Sequence, residues 1–249
     1  MQFKSSLANR EKLAGLFVKT PSSEIIEILA LSGIDFICLD AEHAAIGRRE
    51  LDWSLALARS LGLPALVRLA CASPELALQA LDGGAAGLVI PHVLSAEHAR
   101  EITTYCRFGK AGRGYAGSTR SAGFTTRPMG DVLASAAKEY ALIAQIEDPD
   151  ALEEVEAIAA VEGIDALFFG AADLAVGLGL AKSTGPQIDE AFLRVKQAAS
   201  AAGKPLAAFC ADAAAIPALF EKGTHVAFAG SDQSAVLSAG RAIAAAAGR

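Results

Sequence analysis

Four short apolar runs in this 249-residue chain each stop abruptly at residues that can do chemistry. Phe36-Ile37-Cys38-Leu39 gives way to Asp40-Ala41-Glu42-His43, and Ala65-Leu66-Val67 gives way to Arg68. Ala141-Leu142-Ile143-Ala144 gives way to Gln145-Ile146-Glu147, and Leu167-Phe168-Phe169 to Gly170-Ala171-Ala172-Asp173. Continuous apolar runs of that length read as strands buried on both faces, which is what a parallel sheet demands. Polar groups gathered at the carboxyl ends of parallel strands mark the usual place of an active site in α/β proteins. The chain therefore reads as an enzyme that works with carboxylate, imidazole and guanidinium groups.

The glycines set the number of strands. Gly33, Gly62, Gly84, Gly163, Gly203 and Gly223 each follow a helix-like segment and precede an apolar run. Glycine ends helices in the left-handed conformation, so a unit of helix cap, strand and site loop recurs along the chain. With Leu16-Phe17-Val18 and the run from Ala141, eight strands are expected, near 15–18, 36–39, 65–68, 87–90, 141–145, 166–169, 206–209 and 226–229. Helical patterns fill most gaps. Pro21-Ser22-Ser23-Glu24 opens one, with Ile25, Ile28 and Leu29 on one face, and Ser73-Pro74-Glu75 opens another. Asp148-Pro149 opens a third, over 149–160. Eight alternating units argue for closure into a single-domain (β/α)8 barrel over residues 1–249, with an open doubly wound sheet as the rival.

Composition narrows the partners. A hydrophobic content of 53% leaves ample material for a core and a surplus for subunit contacts. No apolar stretch approaches the roughly 18 to 20 residues of a membrane span. The start, Met1-Gln2-Phe3-Lys4-Ser5-Ser6, has no signal-peptide core behind it, so a cytoplasmic location is expected. A net charge of −6, with the basic residues spread out, argues against nucleic acid. Cys38, Cys71, Cys106 and Cys210 are far apart and read as small buried hydrophobes in a reducing compartment. The segment 107–131, carrying Gly109, Gly112, Gly114, Gly117 and Gly123 among Lys110, Arg113, Arg120 and Arg127, reads either as a solvated loop or as a lid whose arginines meet an anionic substrate.

Glu147 and Asp173 stand one βα unit apart, at the ends of adjacent strands. Two carboxylates sharing one mouth repel unless a proton or cation separates them, and two oxygens with open positions suit a divalent ion. The alternative is one carboxylate in a salt bridge and the other capping a helix. His43 follows a strand end together with two acids; a carboxylate beside it would orient the ring and make it more basic, as a proton acceptor near neutral pH requires, the alternative being a hydrogen-bonded structural histidine. His92 follows Pro91 at another strand end and could face the mouth, whereas His98 reads as surface and His225 as structural on the opposite rim. Arg68, at the end of a buried strand, needs an anion to meet.

Asp40-x-Glu42-His43, Val67-Arg68, Leu81-Asp82-Gly83-Gly84-Ala85, Gln145-Ile146-Glu147 and Gly170-x-x-Asp173-Leu174 together form a specific signature. From about residue 10 to 245 the chain resembles the HpcH/HpaI family of metal-dependent, class II pyruvate aldolases. The resemblance implies a (β/α)8 barrel in which Glu147 and Asp173 bind a divalent metal ion (Mg²⁺, Mn²⁺ or Co²⁺). It implies that Gln145, Gly170 and the backbone at Ala172 contact pyruvate. His43 would be the proton acceptor, made more basic by Asp82, with Asp40 and Glu42 ordering the site. Arg68 would bind substrate and stabilise the developing oxyanion. The reaction would be reversible cleavage of a 4-hydroxy-2-oxo acid to pyruvate and an aldehyde through a pyruvate enolate. A homo-oligomer, a hexamer or trimer of dimers, would pack the apolar tail from Ser234 to Ala247 against a neighbour.

Three positions depart from the family pattern: Ala41, His92 after Pro91, and Lys19 at the end of the first strand. Lys19 could form a Schiff base, but Glu147 and Asp173 would then lack a purpose, so it reads as a carboxylate-binding or outward-pointing residue. A citrate-synthase-like or acyl-CoA lyase on the same scaffold, or a catalytically silent barrel that binds a metal or keto acid, are the competing readings.

Overall fold

A computed structural model describes residues 3–248; Met1 and Gln2, at the head of the amino-terminal segment, and Arg249 lie outside them. The eight expected strands are all present: β1 (Leu13–Val18), β2 (Phe36–Asp40), β3 (Ala65–Arg68), β4 (Gly87–Ile90), β5 (Ala141–Ile146), β6 (Ala166–Phe169), β7 (Leu206–Cys210) and β8 (Val226–Ser231). Every neighbouring pair is parallel, and β8 returns to β1, so the sheet is a closed barrel in sequence order. The six recurring glycines all adopt positive φ, from +71° at Gly203 to +102° at Gly163, a conformation that costs glycine no Cβ clash.

Strand side chains alternate between the lumen and the helix layer. Leu13, Phe17, Phe36, Cys38, Leu66, Val89, Ile143, Phe168, Ala207 and Phe228 fill the lumen. At its centre the Phe228 ring meets Phe36 and Phe168, each at 4.9 Å between centroids, and Phe17 at 5.2 Å. Burying each such ring contributes roughly 1.5–3 kcal/mol. The other parity, including Ile37, Leu39, Val67, Leu88, Leu142, Leu167 and Phe169, packs under the surrounding helices. Continuing the inward parity past the apolar residues places Lys19, Asp40, Arg68, Gln145, Glu147, Gly170 and Phe209 in one layer at the carboxyl-terminal mouth. The sequence periodicity thus builds the site directly.

Several helix starts match the sequence. Ser22 and Ser73 accept hydrogen bonds from the backbone N–H groups of Ile25 and Leu76. The first of these helices buries Ile26 rather than Ile28, which is 59% exposed beside an exposed Leu31. The segment 149–160 is two short helices, Pro149–Glu153 and Val155–Ala159, broken at Glu154. Cys71 is exposed, against expectation, because it lies in the loop beyond β3; Cys38, Cys106 and Cys210 are buried. No helix among the described residues is long and apolar enough to cross a membrane.

The segment 107–131 is not a lid over the mouth in this chain. The helix Ala96–Cys106 runs from the mouth to the amino-terminal end, so the segment after it emerges beneath the barrel. There Ser121 N–H donates to the Asp82 carbonyl, Arg120 pairs with Asp52 at 3.0 Å, and Arg127 pairs with Glu139 at 2.8 Å. Arg113 and Arg127 help line a cavity of about 310 Å³ with Phe3, Pro64 and Tyr140 at this end.

Candidate active site

Asp40 and Arg68 come from paired strands in register, and their side chains meet inside the lumen. Arg68 donates from Nε to Asp40 Oδ1 at 2.9 Å and from Nη2 to Oδ2 at 2.7 Å. Its guanidinium stacks over the Phe17 ring at 4.4 Å. Lys19 Nζ approaches Asp40 Oδ2 at 3.2 Å, and the backbone N–H groups of Glu42 and His43 point at Asp40 Oδ1. Burial alone would raise the Asp40 carboxyl, but the Arg68 hydrogen bonds and charge, the His43 N–H and Lys19 together hold it below the ordinary carboxylate range. Arg68 therefore finds its anion within the protein, and Asp40 orders the loop that carries Glu42 and His43.

His43 is half exposed and lines a mouth cavity of about 910 Å³ with Lys19, Arg68, Gln145, Ala172 and Asp173. Its Nε2 lies 3.7 Å from Glu42 Oε2. Glu42 Oε2 also lies 3.2 Å from Arg68 Nε, yet accepts no hydrogen bond. Burial raises the Glu42 carboxyl, opposed by Arg68, His43 and His92.

Glu147 follows β5 directly and is almost wholly buried. One of its oxygens accepts from Gln145 Nε2 and the other from the His92 backbone N–H at 3.0 Å. Burial pushes its carboxyl up to about 7, against the His92 and Gln145 contacts. Gly170 makes this packing possible, since a Cβ there would sit 2.5 Å from Glu147 Cβ and 2.7 Å from its Oε2. Asp173 stands three residues on from Gly170, in the first turn of the helix Ala171–Gly177, and lines the mouth cavity; the residues whose ligand atoms converge on Glu147 are Glu42 and His92.

His92 is the mouth residue whose place the sequence left open. It adopts φ +52°, unusual for a side chain with a Cβ, and its ring enters the acidic cluster. Nδ1 lies 3.0 Å from Asp148 Oδ2 and 3.6 Å from Glu147 Oε1, and Nε2 lies 3.8 Å from Glu42 Oε1. Burial would lower the imidazole, but the Asp148 hydrogen bond and the charges of Glu147, Asp148 and Glu42 raise it. Glu42, His92 and Glu147 offer ligand atoms all within 4.8 Å of one another.

Asp82 is not brought to His43 within the chain. It ends the helix Pro74–Asp82 on the amino-terminal side of β4, while His43 follows the carboxyl end of β2. Asp82 faces Arg113 Nε at 4.0 Å instead. The carboxylates near His43 are those of Glu42 and, through the His43 backbone N–H, Asp40.

The residues present fit a divalent cation. Glu42, His92 and Glu147 converge beside Asp148, whereas Asp173 lines the adjoining mouth cavity; Arg68 is hydrogen-bonded to Asp40 and also lies 3.2 Å from Glu42 Oε2. Two buried oxygens there, Glu42 Oε2 and Gln145 Oε1, lack a hydrogen-bond partner. A hard cation answers the unpartnered oxygens and the buried carboxylate of Glu147.

Comparison with known proteins shows what the chain is similar to. A family model described as HpcH/HpaI aldolase/citrate lyase matches residues 13–239. The chain is 35% identical over 219 residues to a hydroxypyruvate/pyruvate aldolase of Paraburkholderia phytofirmans, covering 85% of this chain and 84% of that protein. It is 33% identical over 206 residues to a 2-keto-3-deoxy-L-rhamnonate aldolase of Salmonella gallinarum, covering 81% and 77%. The crystal structure of an HpcH/HpaI aldolase/citrate lyase family protein from Burkholderia cenocepacia superposes with a TM-score of 0.91 at 34% identity, covering 99% and 98%.

Proposed function

The chain belongs to the HpcH/HpaI aldolase/citrate lyase family, and from that premise we propose that it is a metal-dependent lyase reversibly cleaving a 4-hydroxy-2-oxo acid to pyruvate and an aldehyde. The observation that carries this reading is the acidic cluster around the buried Glu147, next to a mouth cavity lined by His43, Arg68, Gln145 and Asp173 that is large enough for such a substrate. Glu147 and Asp173 would hold the ion. A bound divalent cation supplies positive charge where a pyruvate enolate develops negative charge.

The protein's own residues do the rest. His43, half exposed at the mouth, accepts the proton of the 4-hydroxyl as the C3–C4 bond breaks. The electron pair of that bond becomes the enolate, and the C4 fragment leaves as an aldehyde. Arg68, held in place by Asp40, presents a fixed cation to the pyruvyl oxygens without reorganising during the reaction. Gln145 and the backbone at Gly170 and Ala172 orient pyruvate. Lys19, ion-paired to Asp40, is placed for charge rather than as an isolated amine.

The helix Asp232–Ala246 supports assembly with further copies. Among its residues only Asp232 is buried, while Val236, Leu237 and Ile243 are 63%, 54% and 73% exposed. The free thiols of Cys38, Cys71, Cys106 and Cys210 fit a reducing compartment such as the cytoplasm.

The test is pyruvate release from a panel of 4-hydroxy-2-oxo acids by EDTA-treated protein, with and without Mg²⁺, Mn²⁺ or Co²⁺. Activity is expected to vanish on chelation and return with an ion. Activity that survives chelation and is trapped by borohydride would transfer the chemistry to Lys19. Turnover only with a CoA thioester would move the protein to citrate lyase chemistry.

A further inference from the structure

His92 is more than a neighbour of the acidic cluster; the way its ring is held selects which nitrogen is available. Metal-binding imidazoles characteristically donate one ring N–H to a carboxylate, which fixes the tautomer and turns the other nitrogen's lone pair toward the ion. His92 has that arrangement: Nδ1 meets Asp148 Oδ2 at 3.0 Å, and Nε2 points to the side of the ring where Glu42 Oε1 lies 3.8 Å away. Asp148 opens the helix Pro149–Glu153 without making a side-chain capping bond, so its carboxylate is committed to His92 instead. The His92 backbone N–H fastens the same residue to Glu147, at the cost of a left-handed φ of +52°. Glu42 completes the group with a side chain nine-tenths buried, its Oε1 on the His92 side and its Oε2 turned toward Arg68 and His43.

We propose that His92, through Nε2, is a protein ligand of the divalent cation held by Glu147, with Glu42 in the same cluster, and that it biases this site toward Co²⁺ and Zn²⁺ over Mg²⁺. An all-oxygen site suits Mg²⁺, whereas an imidazole ligand favours later transition ions. The inference rests on the acidic cluster being a metal site and extends that site to a residue outside the Glu147–Asp173 pair.

The experiment uses the full-length, EDTA-treated protein with Co²⁺ and Mg²⁺ as probes. Calorimetric titration gives the ratio of the two affinities. Proton NMR of the Co²⁺-loaded protein in water looks for a hyperfine-shifted imidazole N–H, expected from His92 Nδ1–H, that disappears in D₂O. His92→Asn is the variant of choice, because asparagine tolerates positive φ and keeps the backbone N–H to Glu147 while its side chain is too short to ligate. In His92→Asn the shifted resonance should vanish and the Co²⁺/Mg²⁺ preference should fall by about 10-fold or more. Asp148→Asn should weaken Co²⁺ by roughly 10- to 100-fold, the effect of losing an outer partner. One equivalent of Co²⁺ bound with no shifted imidazole resonance, and an unchanged preference in His92→Asn, would overturn the proposal while leaving the carboxylate site standing. No binding of either ion by the unaltered protein would remove the metal-site reading and this proposal with it.

Discussion

Arg68 in the mouth and Arg113 beneath the barrel are both buried against an aromatic ring and face an aspartate. Their guanidinium carbons lie 4.4 Å from the Phe17 centroid and 4.0 Å from the Phe108 centroid. There the likeness ends. Arg68 makes two hydrogen bonds to Asp40 at 2.7 and 2.9 Å, whereas the nearest approach of Arg113 to Asp82 is 4.0 Å, with Nε and Nη1 unpartnered. The titration behaviour differs accordingly. For Arg68, burial is outweighed by Asp40, and the guanidinium pKa rises; for Arg113 burial wins and it falls. At the mouth a buried cation is held rigidly by two hydrogen bonds to its carboxylate. At the other end, stacking and shape suffice.

The largest expected effect breaks the mouth pair. Arg68→Ala leaves Asp40 fully buried with only Lys19 as a cationic partner, and removing one member of a buried pair costs about 3–5 kcal/mol. Denaturant unfolding should show that loss, and both pyruvate-forming aldol cleavage and oxaloacetate decarboxylation should suffer, since the enolate oxygens lose a cation in either reaction. His43→Ala sharpens the contrast, because His43 is half exposed and pairs only weakly. It should leave stability almost unchanged and lose cleavage by roughly 10² to 10⁴. Decarboxylation, which removes no hydroxyl proton, should largely persist. Equal losses in the two assays would make His43 a structural residue.

A smaller effect distinguishes the two aspartates by sign. Asp40 titrates below its ordinary value in the folded state, so its contribution to stability is present above about pH 4 and is lost as pH falls through the folded value. Asp82 is shifted the other way, by burial that Arg113 only partly offsets. The folded state then holds the proton more tightly than the unfolded state, and stability falls as pH rises from about 4 through the folded value. Stability measured across the acid range should lose an upward slope with pH in Asp40→Asn and a downward slope in Asp82→Asn. Slopes of the same sign in both variants would mean that Arg113 pairs with Asp82 as tightly as Arg68 does with Asp40.

The mouth was legible in the sequence and the floor was not. The inward parity that fills the lumen with Phe36, Cys38 and Leu66 also carries Asp40, Arg68, Gln145 and Glu147 to one layer, so period and strand ends were enough. Positive φ at the six recurring glycines confirmed the strand count for the same local reason. What a local pattern does not carry is direction along helices. Asp82 stands at a helix end before Gly84, hence on the rim away from His43, and the 107–131 segment leaves its helix on that same rim. His92 needed a left-handed backbone at a residue with a Cβ and a meeting of loops after β2, β4 and β5, none of which a local pattern signals.

The smallest expected effect concerns Arg113 itself. Its desolvation is offset by no short hydrogen bond from Nε or Nη1, only by the Phe108 and Tyr140 rings and an aspartate 4.0 Å away. Replacing such a cation by an apolar side chain of similar length relieves the burial cost of the charge while giving up the cation–π attraction, worth about 0.5–2 kcal/mol. A thioether recovers part of that through sulfur–aromatic contact, about 0.3–1.5 kcal/mol. The two sides nearly cancel, so Arg113→Met should change unfolding free energy by about 1 kcal/mol or less, in either direction. Aldol cleavage should be unaffected, because the residue lies at the opposite end of the barrel from His43. Arg113→Ala, by contrast, opens a void beside Phe108 and should destabilise more than Arg113→Met. A loss of about 3–5 kcal/mol in Arg113→Met, matching Arg68→Ala, would show that Arg113 is fully paired in solution. The contrast between the two ends would then dissolve.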